Sequence, residues 1–331
     1  SFVQATVRAW PALDSKEGLG IILDSAFGAL RALRRSGLGP RMVYVLGGND
    51  MQGEILSTMD AYDPRTDAWK QLSSMPARRY MHGGAVLDGK IYALGGRDSG
   101  GYLSTADVYD PQSNQWQPLA DMAGERADFA AAAAGGKIYA IGGETSDDMA
   151  AVTVEAFDPL LGAWAFVASM SIGRCYHAVA VVDGKIYAIG GYGSENQALD
   201  SVEVYDPQAD NWQQVASLPE ARRMHAATAI GGKIYVSGGL YDVEDGDATP
   251  TRTVAVFDPE ADTWTEVASM GAYRSCHSSA AIWGKLYVFG GSSESPFSRG
   301  SAEAYDPISD TWAQVSDLTG TGRDEFAAVA L

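Results

Sequence analysis

Residues 174–217 read RCYHAVAVVDGKIYAIGGYGSENQALDSVEVYDPQADNWQQVAS, and this stretch decides the fold. Its apolar and alternating patches predict four short β-strands, A to D, separated by turn signals and leaving no room for a helix. Asp183-Gly184 predicts a two-residue hairpin between strands A and B, because both central positions need positive φ. Asp206-Pro207 predicts the turn from strand C to strand D, since aspartate can bond its own backbone and proline presets the next φ.

Strand B of this unit ends in a glycine pair, Gly190-Gly191. Paired glycines without side chains predict a place where a large ring approaches the backbone. Trp212, on strand D, is the ring that we expect there.

The same unit recurs six times between residue 42 and the C terminus. The first glycines of the pairs lie 48, 47, 48, 48 and 52 residues apart. They are Gly47, Gly95, Gly142, Gly190, Gly238 and Gly290. The aromatic-Asp-Pro steps begin at Tyr62, Tyr109, Phe157, Tyr205, Phe257 and Tyr305. The repeat tryptophans are Trp69, Trp116, Trp164, Trp212, Trp264 and Trp312.

A four-stranded unit of this size cannot bury both faces of its sheet alone, and repetition around an axis solves the problem. Strand A is rich in small residues, which fits a crowded position next to that axis. The first unit starts at strand B (RMVYVLGG, 41–48), while the last residues (RDEFAAVAL, 323–331) look like a strand A. The sequence therefore predicts an all-β, six-bladed propeller whose first blade is closed by the C-terminal strand.

The double glycine, the aromatic-Asp-Pro step and the tryptophan, in six copies about 48 residues apart, resemble the Kelch repeat. The resemblance covers residues 42–331. It implies a Kelch β-propeller with four antiparallel strands per blade. Kelch propellers include ubiquitin-ligase substrate receptors, actin-associated proteins, sugar-metabolising enzymes and scaffold subunits, so the resemblance leaves function open.

Charge and composition narrow the choice of partner and compartment. Residues 1–41 carry a net charge of +3 and the remainder carries −21. So acidic a body lacks the basic stripe that nucleic-acid binding requires. Two cysteines give no sign of a disulfide framework, which favours an intracellular, cytoplasmic location and leaves an organelle open. No run of eighteen apolar residues occurs, so membrane contact is not expected.

Histidine invites a metal hypothesis, which the repeat argues against. His82, His177, His225 and His277 each follow an arginine by three residues, and the other two units place Phe129 and Phe326 in that slot. A position that accepts phenylalanine is a packing position, so we expect neither a metal nor another cofactor. Cys175 and Cys276 lie in non-adjacent units, which favours neither a mutual disulfide nor catalysis.

One arginine per unit precedes strand A, and two roles are open for it. It can bond loop carbonyls or an acid of a neighbouring blade, or, as in the Kelch substrate receptors that the repeat resembles, grip an acidic peptide through forked hydrogen bonds. With its aromatic and arginine neighbours it defines a candidate partner-binding rim. The rim residues are Arg79, Tyr80, Arg126, Arg174, Tyr176, Arg222, Arg223, Tyr273, Arg274 and Arg323.

The loops between strands B and C vary most from unit to unit and should carry specificity. The fifth is the longest and is acidic, with Asp242, Glu244, Asp245 and Asp247. Its spacing does not fit an EF-hand, so we interpret it as a solvated loop.

Residues 1–41 belong to no blade and form a separate extension. Asp14 and Glu17 resemble a capping box, Gly37 and Pro40 give a stop, and apolar residues recur between them at helical spacing. This predicts an amphipathic helix over about 14–36 that is marginal alone and needs a surface to dock on. The docking residues are Leu19, Leu23, Phe27 and Leu30.

These patterns favour a non-catalytic interaction scaffold, part of a larger complex, that binds a protein through its loop face and is anchored by the N-terminal helix. A sugar-processing enzyme with an axial pocket is one alternative. A deep polar pocket with perturbed titratable groups would favour the enzyme, and a broad shallow face the scaffold. A ubiquitin-ligase substrate-recognition subunit is another alternative, although forty residues cannot hold a BTB-like or BACK-like domain.

Overall fold

The computed structural model describes residues 42–147, 149–242, 248–292, 299–320 and 322–331. Their strands form six four-stranded antiparallel sheets, which confirms the six-bladed propeller. The predicted helix over about 14–36, with Leu19, Leu23, Phe27 and Leu30, lies outside the described residues.

The strands follow the A-B-C-D order predicted from the repeat. Blade 1 contains β1 (Val43–Leu46), β2 (Met59–Asp63), β3 (Ala68–Gln71) and, from the C terminus, β28 (Ala327–Ala330). Blade 2 contains β4 (Gly83–Leu87), β5 (Lys90–Leu94), β8 (Ala106–Asp110) and β9 (Gln115–Pro118). Blade 3 contains β10 (Ala130–Ala134), β11 (Lys137–Ile141), β12 (Val154–Asp158) and β13 (Ala163–Val167).

The second half of the ring repeats this arrangement. Blade 4 contains β14 (Ala178–Val182), β15 (Lys185–Ile189), β16 (Val202–Asp206) and β17 (Asn211–Val215). Blade 5 contains β18 (Ala226–Ile230), β19 (Lys233–Ser237), β22 (Val254–Asp258) and β23 (Thr263–Val267). Blade 6 contains β24 (Ser278–Ile282), β25 (Lys285–Phe289), β26 (Ala302–Asp306) and β27 (Thr311–Val315).

Two loops between strands B and C fold into ribbons that the sequence did not predict. In blade 2, β6 (Arg97–Asp98) pairs with β7 (Gly101–Tyr102), and in blade 5, β20 (Leu240–Asp242) pairs with β21 (Ala248–Pro250). Both are too short for an alternating pattern to register.

The turns between the strands form as their residue types predict. Asp183 and Gly184 have φ of 50° and 76°, as a type I′ hairpin requires. The Oδ1 atom of Asp206 accepts the N–H of Gln208 at 2.9 Å, which closes the turn from strand C to strand D.

The glycine pairs have a different neighbour from the one predicted. Gly47 has φ of 57°, and a Cβ atom there would meet the Arg79 carbonyl at 2.5 Å and the His82 ring at 2.9 Å. The prediction that a tryptophan approaches the pair is therefore wrong, because the ring comes from the histidine or phenylalanine slot of the next blade.

The tryptophans instead join neighbouring blades on strand D. Trp212 packs on Tyr205 with ring centroids 5.1 Å apart, and its Nε1–H donates to the Ala168 carbonyl of the preceding blade at 2.9 Å. Trp69 repeats this bond from blade 1 to the Ser316 carbonyl of blade 6, at 3.1 Å. The apolar cores lie between consecutive blades in the same way.

The ends of the described chain meet in blade 1. Strand β28 pairs antiparallel with β1, placing Ala330 opposite Val43 and Ala327 opposite Leu46. Phe326, only 6% exposed, packs with residues of blades 1 and 6. The predicted closure is confirmed, and it covers an edge of β1 that would otherwise offer unpaired backbone groups.

Removing residues 327–331 should destabilise the propeller and make it self-associate, because β1 would lose its inner neighbour and expose an open edge. We expect a lower Tm by calorimetry and a dimer or larger species by light scattering. A monomer with unchanged Tm would contradict this account of closure.

Candidate functional site on the loop face

One face of the ring carries the loops from D to A and from B to C, which interlock. Single antiparallel bridges connect them, joining Tyr80 to Arg97 and Cys175 to Tyr192. The hairpins from A to B and the turns from C to D lie at the opposite face. We call the first surface the loop face.

The six repeat arginines are buried beneath this face. None is more than 4% exposed. The guanidinium group of Arg174 donates to the Gly190 and Ser201 carbonyls at 2.8 and 3.0 Å, and to Glu203 Oε1 at 2.8 Å. Corresponding ion pairs join Arg79–Asp107, Arg126–Glu155, Arg274–Glu303 and Arg323–Asp60.

Each arginine also connects two blades through its main chain. The Arg174 carbonyl accepts the N–H of Gly143 in blade 3, while its side chain binds blade 4. Arg323 closes the ring, since its carbonyl accepts from Gly291 and its side chain reaches Asp60 in blade 1. These contacts are the ones expected if the arginines hold the loops in place. We therefore assign the six arginines to the framework of the propeller and do not propose that they bind a partner.

The strand C acid that pairs with the arginine differs among the blades, and in some blades it also accepts an N–H group from the loop after strand D of the preceding blade. Glu203 Oε2 also accepts the Ser171 N–H at 2.8 Å. Where proline removes that donor, as at Pro76 and Pro219, strand C carries a shorter Asp107 or no acid at all, Ala255. Among the described residues, Arg222 accordingly forms its ion pair with the half-exposed Glu220, at 3.5 Å.

Glu203 should matter far more to stability than Glu220. Burial raises the pKa of Glu203, but hydrogen bonds from Ser171 and Arg174 lower it more, so the carboxylate stays charged. Glu203→Ala strands a buried Arg174 and should cost about 3–5 kcal/mol, whereas Glu220→Ala should cost under about 1 kcal/mol. Urea unfolding followed by tryptophan fluorescence measures both, and equal losses would contradict the assignment.

A closed ring of main-chain hydrogen bonds surrounds the axis at the loop face. The Tyr176 N–H donates to the Asp128 carbonyl, the Met224 N–H to the Tyr176 carbonyl, and the pattern continues through all six blades at 2.8–3.0 Å. All six residues have φ between 50° and 56°. This inner ring consists of Met81, Asp128, Tyr176, Met224, Cys276 and Glu325.

The four histidines lie next to the inner ring, buried and neutral. Each is 6–7% exposed. Both ring nitrogens of His82 and His177 lack a hydrogen-bond partner among the described residues. Burial and the neighbouring arginines lower the pKa of His82, His225 and His277 from 6.5 to about 3.

These histidines should make the fold acid-sensitive. Between pH 6.5 and 3 the unfolded chain binds protons that the folded chain refuses, so stability falls as pH falls, by about 2 kcal/mol per histidine at pH 5. The double variant His82→Phe, His225→Phe should be less sensitive, since Phe129 and Phe326 occupy the same slot. Urea unfolding at pH 7.5 and pH 5 tests this, and an unchanged pH dependence would contradict it.

Carboxyl groups that the sequence analysis missed surround the opening at the axis. A cavity of about 140 Å³ is lined by the inner ring and the histidine slots, and one of about 480 Å³ adjoins it at Cys276 and Glu325. Asp128 and Glu325 belong to the ring, while Glu144 pairs with Ala127 beside it. We call the two cavities together the axial mouth. The second residue after each repeat arginine is acidic in two units, at Asp128 and Glu325, and this was the signal available in the sequence.

Crowding perturbs these acids. Burial and the neighbouring Glu144 and Glu325 raise the pKa of Asp128 well above its usual range. Burial and Asp324 raise the pKa of Glu325 to about 7, although Asn49 donates to its Oε2 atom at 2.8 Å.

The other predicted rim residues reach the surface to different extents. Tyr80 and Tyr176 are half-buried and line the axial mouth. Arg223 lies 4.3 Å over the Tyr192 ring and pairs with Asp242 at 3.4 Å. Tyr273 is 52% exposed and is the most open of them.

The remaining candidates lie in or beside the same surface. Cys175 and Cys276 are free, and burial raises the pKa of both thiols. Within the part of the chain that the structure describes, no group of three or more His, Cys, Asp or Glu residues is arranged to hold a metal. Of the acidic fifth loop, Asp242 accepts the Ala198 N–H at 2.9 Å, and Glu244, Asp245 and Asp247 lie outside the described residues.

The propeller, its buried arginine framework and its loop face are those of a Kelch-type protein. The sequence profile of the KLHDC2/KLHL20/DRC7 Kelch-repeats domain matches residues 37–191 and 128–330. The chain belongs to this Kelch-repeat family.

Individual relatives match over single stretches. The chain is 39% identical over 57 residues to an F-box/kelch-repeat protein of Arabidopsis thaliana, which is 17% of this chain and 15% of that protein. It is 41% identical over 51 residues to Kelch-like protein 7 of Rattus norvegicus, covering 15% and 9%. Alpha-scruin of Limulus polyphemus is 41% identical over 56 residues, covering 16% and 6%. The matches thus span a small fraction of these relatives' length.

A solved structure shares the fold over most of the chain. The structure of YjhT superposes with a TM-score of 0.70 and 16% identity, covering 83% of this chain and 97% of that one. Among the described residues, no helix has the length and apolar character needed to cross a bilayer.

Proposed function

We propose that this protein is a non-catalytic interaction module that binds a partner protein through the loop face, as a subunit of a larger complex. The observation that carries the proposal is the loop face itself. Its arginine framework fixes the loops from below, while aromatic, methionine and arginine side chains remain accessible above.

The accessible side chains are of the kind that anchors protein interfaces. Tyr273 is 52% exposed, Met149 is 58% exposed and Met51 is 44% exposed, all on loops of this face. Tyr80 and Arg223 lie nearer the axis. A rigid frame that presents adaptable methionine and aromatic contacts loses little conformational entropy on binding.

The N-terminal extension supplies a second part of the proposal. The pattern of Leu19, Leu23, Phe27 and Leu30 predicts an apolar helix face that needs a partner surface, and we propose that it anchors the propeller in the complex. A substrate-recognition role in a ubiquitin ligase would use the same loop face, and the names of the F-box/kelch-repeat relatives support that variant only by analogy.

One observation favours a second candidate, a sugar-processing enzyme. The axial mouth is polar and contains Asp128 and Glu325, whose raised pKa values suit an acid and a base. Turnover of a panel of sugars that disappears in Asp128→Asn would establish this candidate.

Two aromatic residues of similar exposure, one on each face, allow an experiment that shows which face binds the partner. Tyr273 lies on the loop face and Trp283, 49% exposed, lies on a hairpin at the opposite face. We expect Tyr273→Ala to lose at least half of a stoichiometric partner captured from native source, and Trp283→Ala to retain it. Quantitative mass spectrometry of the captured complexes measures both variants.

The same capture tests the helix and the proposal as a whole. Deleting residues 1–40 should release subunits that the helix anchors. Loss of the partner from Trp283→Ala with retention by Tyr273→Ala would overturn the assignment of the loop face.

A further inference from the structure

Three carboxyl groups in or beside the axial mouth, Asp128, Glu144 and Glu325, have no ion-pair partner among the described residues. The framework acids of this chain behave differently, since Glu155, Glu203 and Glu303 each meet an arginine within 3 Å. Unpaired carboxylates in a half-buried site are costly unless something of opposite charge arrives.

The neighbouring cations are engaged elsewhere. Arg299 pairs with Asp324 at 3.2 Å, and Arg223 pairs with Asp242. Arg97 lies 4.4 Å over the Tyr102 ring. Its charge lowers the pKa of Asp128 and of Glu325, but burial and the neighbouring acids raise both by more.

The hydrogen bonds of the three carboxyl groups also indicate that one oxygen atom is without a donor. Glu325 accepts from Asn49, and Glu144 accepts from the Tyr102 hydroxyl at 3.3 Å. Tyr176 forms a side-chain hydrogen bond with Asp128, but the buried Oδ2 atom of Asp128 has no hydrogen-bond partner among the described residues. The ring nitrogens of His177, which is 7% exposed and lines the same cavity, also lack partners within the described part. Buried polar atoms of this kind normally have one.

We propose that the axial mouth receives a basic side chain, lysine or arginine, of the partner protein, with Asp128, Glu144 and Glu325 as its acceptors. This inference rests on the proposed partner-binding role and specifies the chemistry that is recognised. An ammonium or guanidinium group supplies the donor that the Oδ2 atom of Asp128 lacks and turns the repulsion among the three acids into attraction.

The walls of the mouth suit such a side chain. Tyr176, Met81 and Met224 line the cavity and can pack along the apolar stem of lysine or arginine. The Tyr176 ring also offers a cation–π face. The net charge of −21 on residues 42–331 accelerates the approach of a basic partner and repels an acidic one.

Met81 and Met224 allow a direct test in the full chain. Methionine methyl groups labelled with ¹³C report on the mouth by NMR during titration with acetyl-Gly-Lys-Gly-amide or acetyl-Gly-Arg-Gly-amide. We expect saturable shifts of both methyl signals. The same peptide with norleucine or glutamate at its centre should produce none, because norleucine keeps the stem and lacks the charge.

Variants locate the effect. The double variant Asp128→Asn, Glu325→Gln should weaken lysine-peptide binding about tenfold or more, the size expected for lost bonds to a charged group. Asparagine tolerates the positive φ of position 128, so the fold should persist, and an unchanged Tm checks this. Asp121→Asn makes a matched change of charge on an exposed loop of the same face and should leave binding unchanged.

Three results would overturn the inference: no shift with the basic peptides, equal shifts with norleucine, or binding that survives the double variant. The proposed function fails separately. If the partner depends on Tyr273 but the basic peptides do not bind, only the basic-residue inference falls. If Tyr273→Ala keeps the partner while Trp283→Ala loses it, the loop face is not the interface.

Discussion

The buried arginine before each strand A is the interaction on which the rest of the structure depends. Its carbonyl accepts a hydrogen bond from the glycine pair of one blade. Its guanidinium group binds the glycine carbonyl of the next blade and, in every blade except blade 5, the strand C acid. One residue thus fixes the distance between two sheets and the course of the loop between them. Because the guanidinium group has five donors in a rigid fork, it satisfies several buried acceptors at once, which lysine cannot do.

This arrangement explains why the glycine pairs are needed. Gly143 donates to the Arg174 carbonyl, and its Cβ would clash with Phe129 and with the Ala127 carbonyl. The second glycine therefore makes room for the loop before strand A of its own blade, and the first, Gly142, makes room for Arg174 in the loop of the next blade. The tryptophan serves a different contact further out on strand D. The glycine pair, the repeat arginine and the histidine or phenylalanine three residues after it form one packing contact, which is repeated six times.

Most of the fold was predictable because its determinants repeat. The Asp183-Gly184 hairpin, the Asp206-Pro207 turn and the closing strand all follow from local chemistry. The neighbour of the glycine pair was not predictable, since the contact joins residues of different blades and no spacing in the sequence records it. The short ribbons of blades 2 and 5 were missed because two or three residues cannot show a period.

The location of the candidate site on the loop face stays a prediction, and the charge of the axial mouth was not predicted. Sequence reasoning placed partner contact on the loop face and gave it to the repeat arginines, which are conspicuous because they recur. Ion pairs with Glu203 and its counterparts hold these arginines beneath the surface. The acids of the axial mouth were overlooked for the converse reason, since Asp128 and Glu325 occupy a position that holds five different residue types in six blades. In this ring, recurring residues hold the frame and the non-recurring ones give the surface its chemistry.

The inner ring has a consequence for how such a protein can change. Its six residues are joined by main-chain bonds alone, so the frame does not depend on which side chains point toward the axis. Methionine, tyrosine, cysteine and two acids already occupy equivalent places with the same backbone angles. The side chains that line the axis can therefore be exchanged while the main chain of the inner ring stays the same. A substitution in one blade can change the chemistry of the opening and leave the main-chain ring in place.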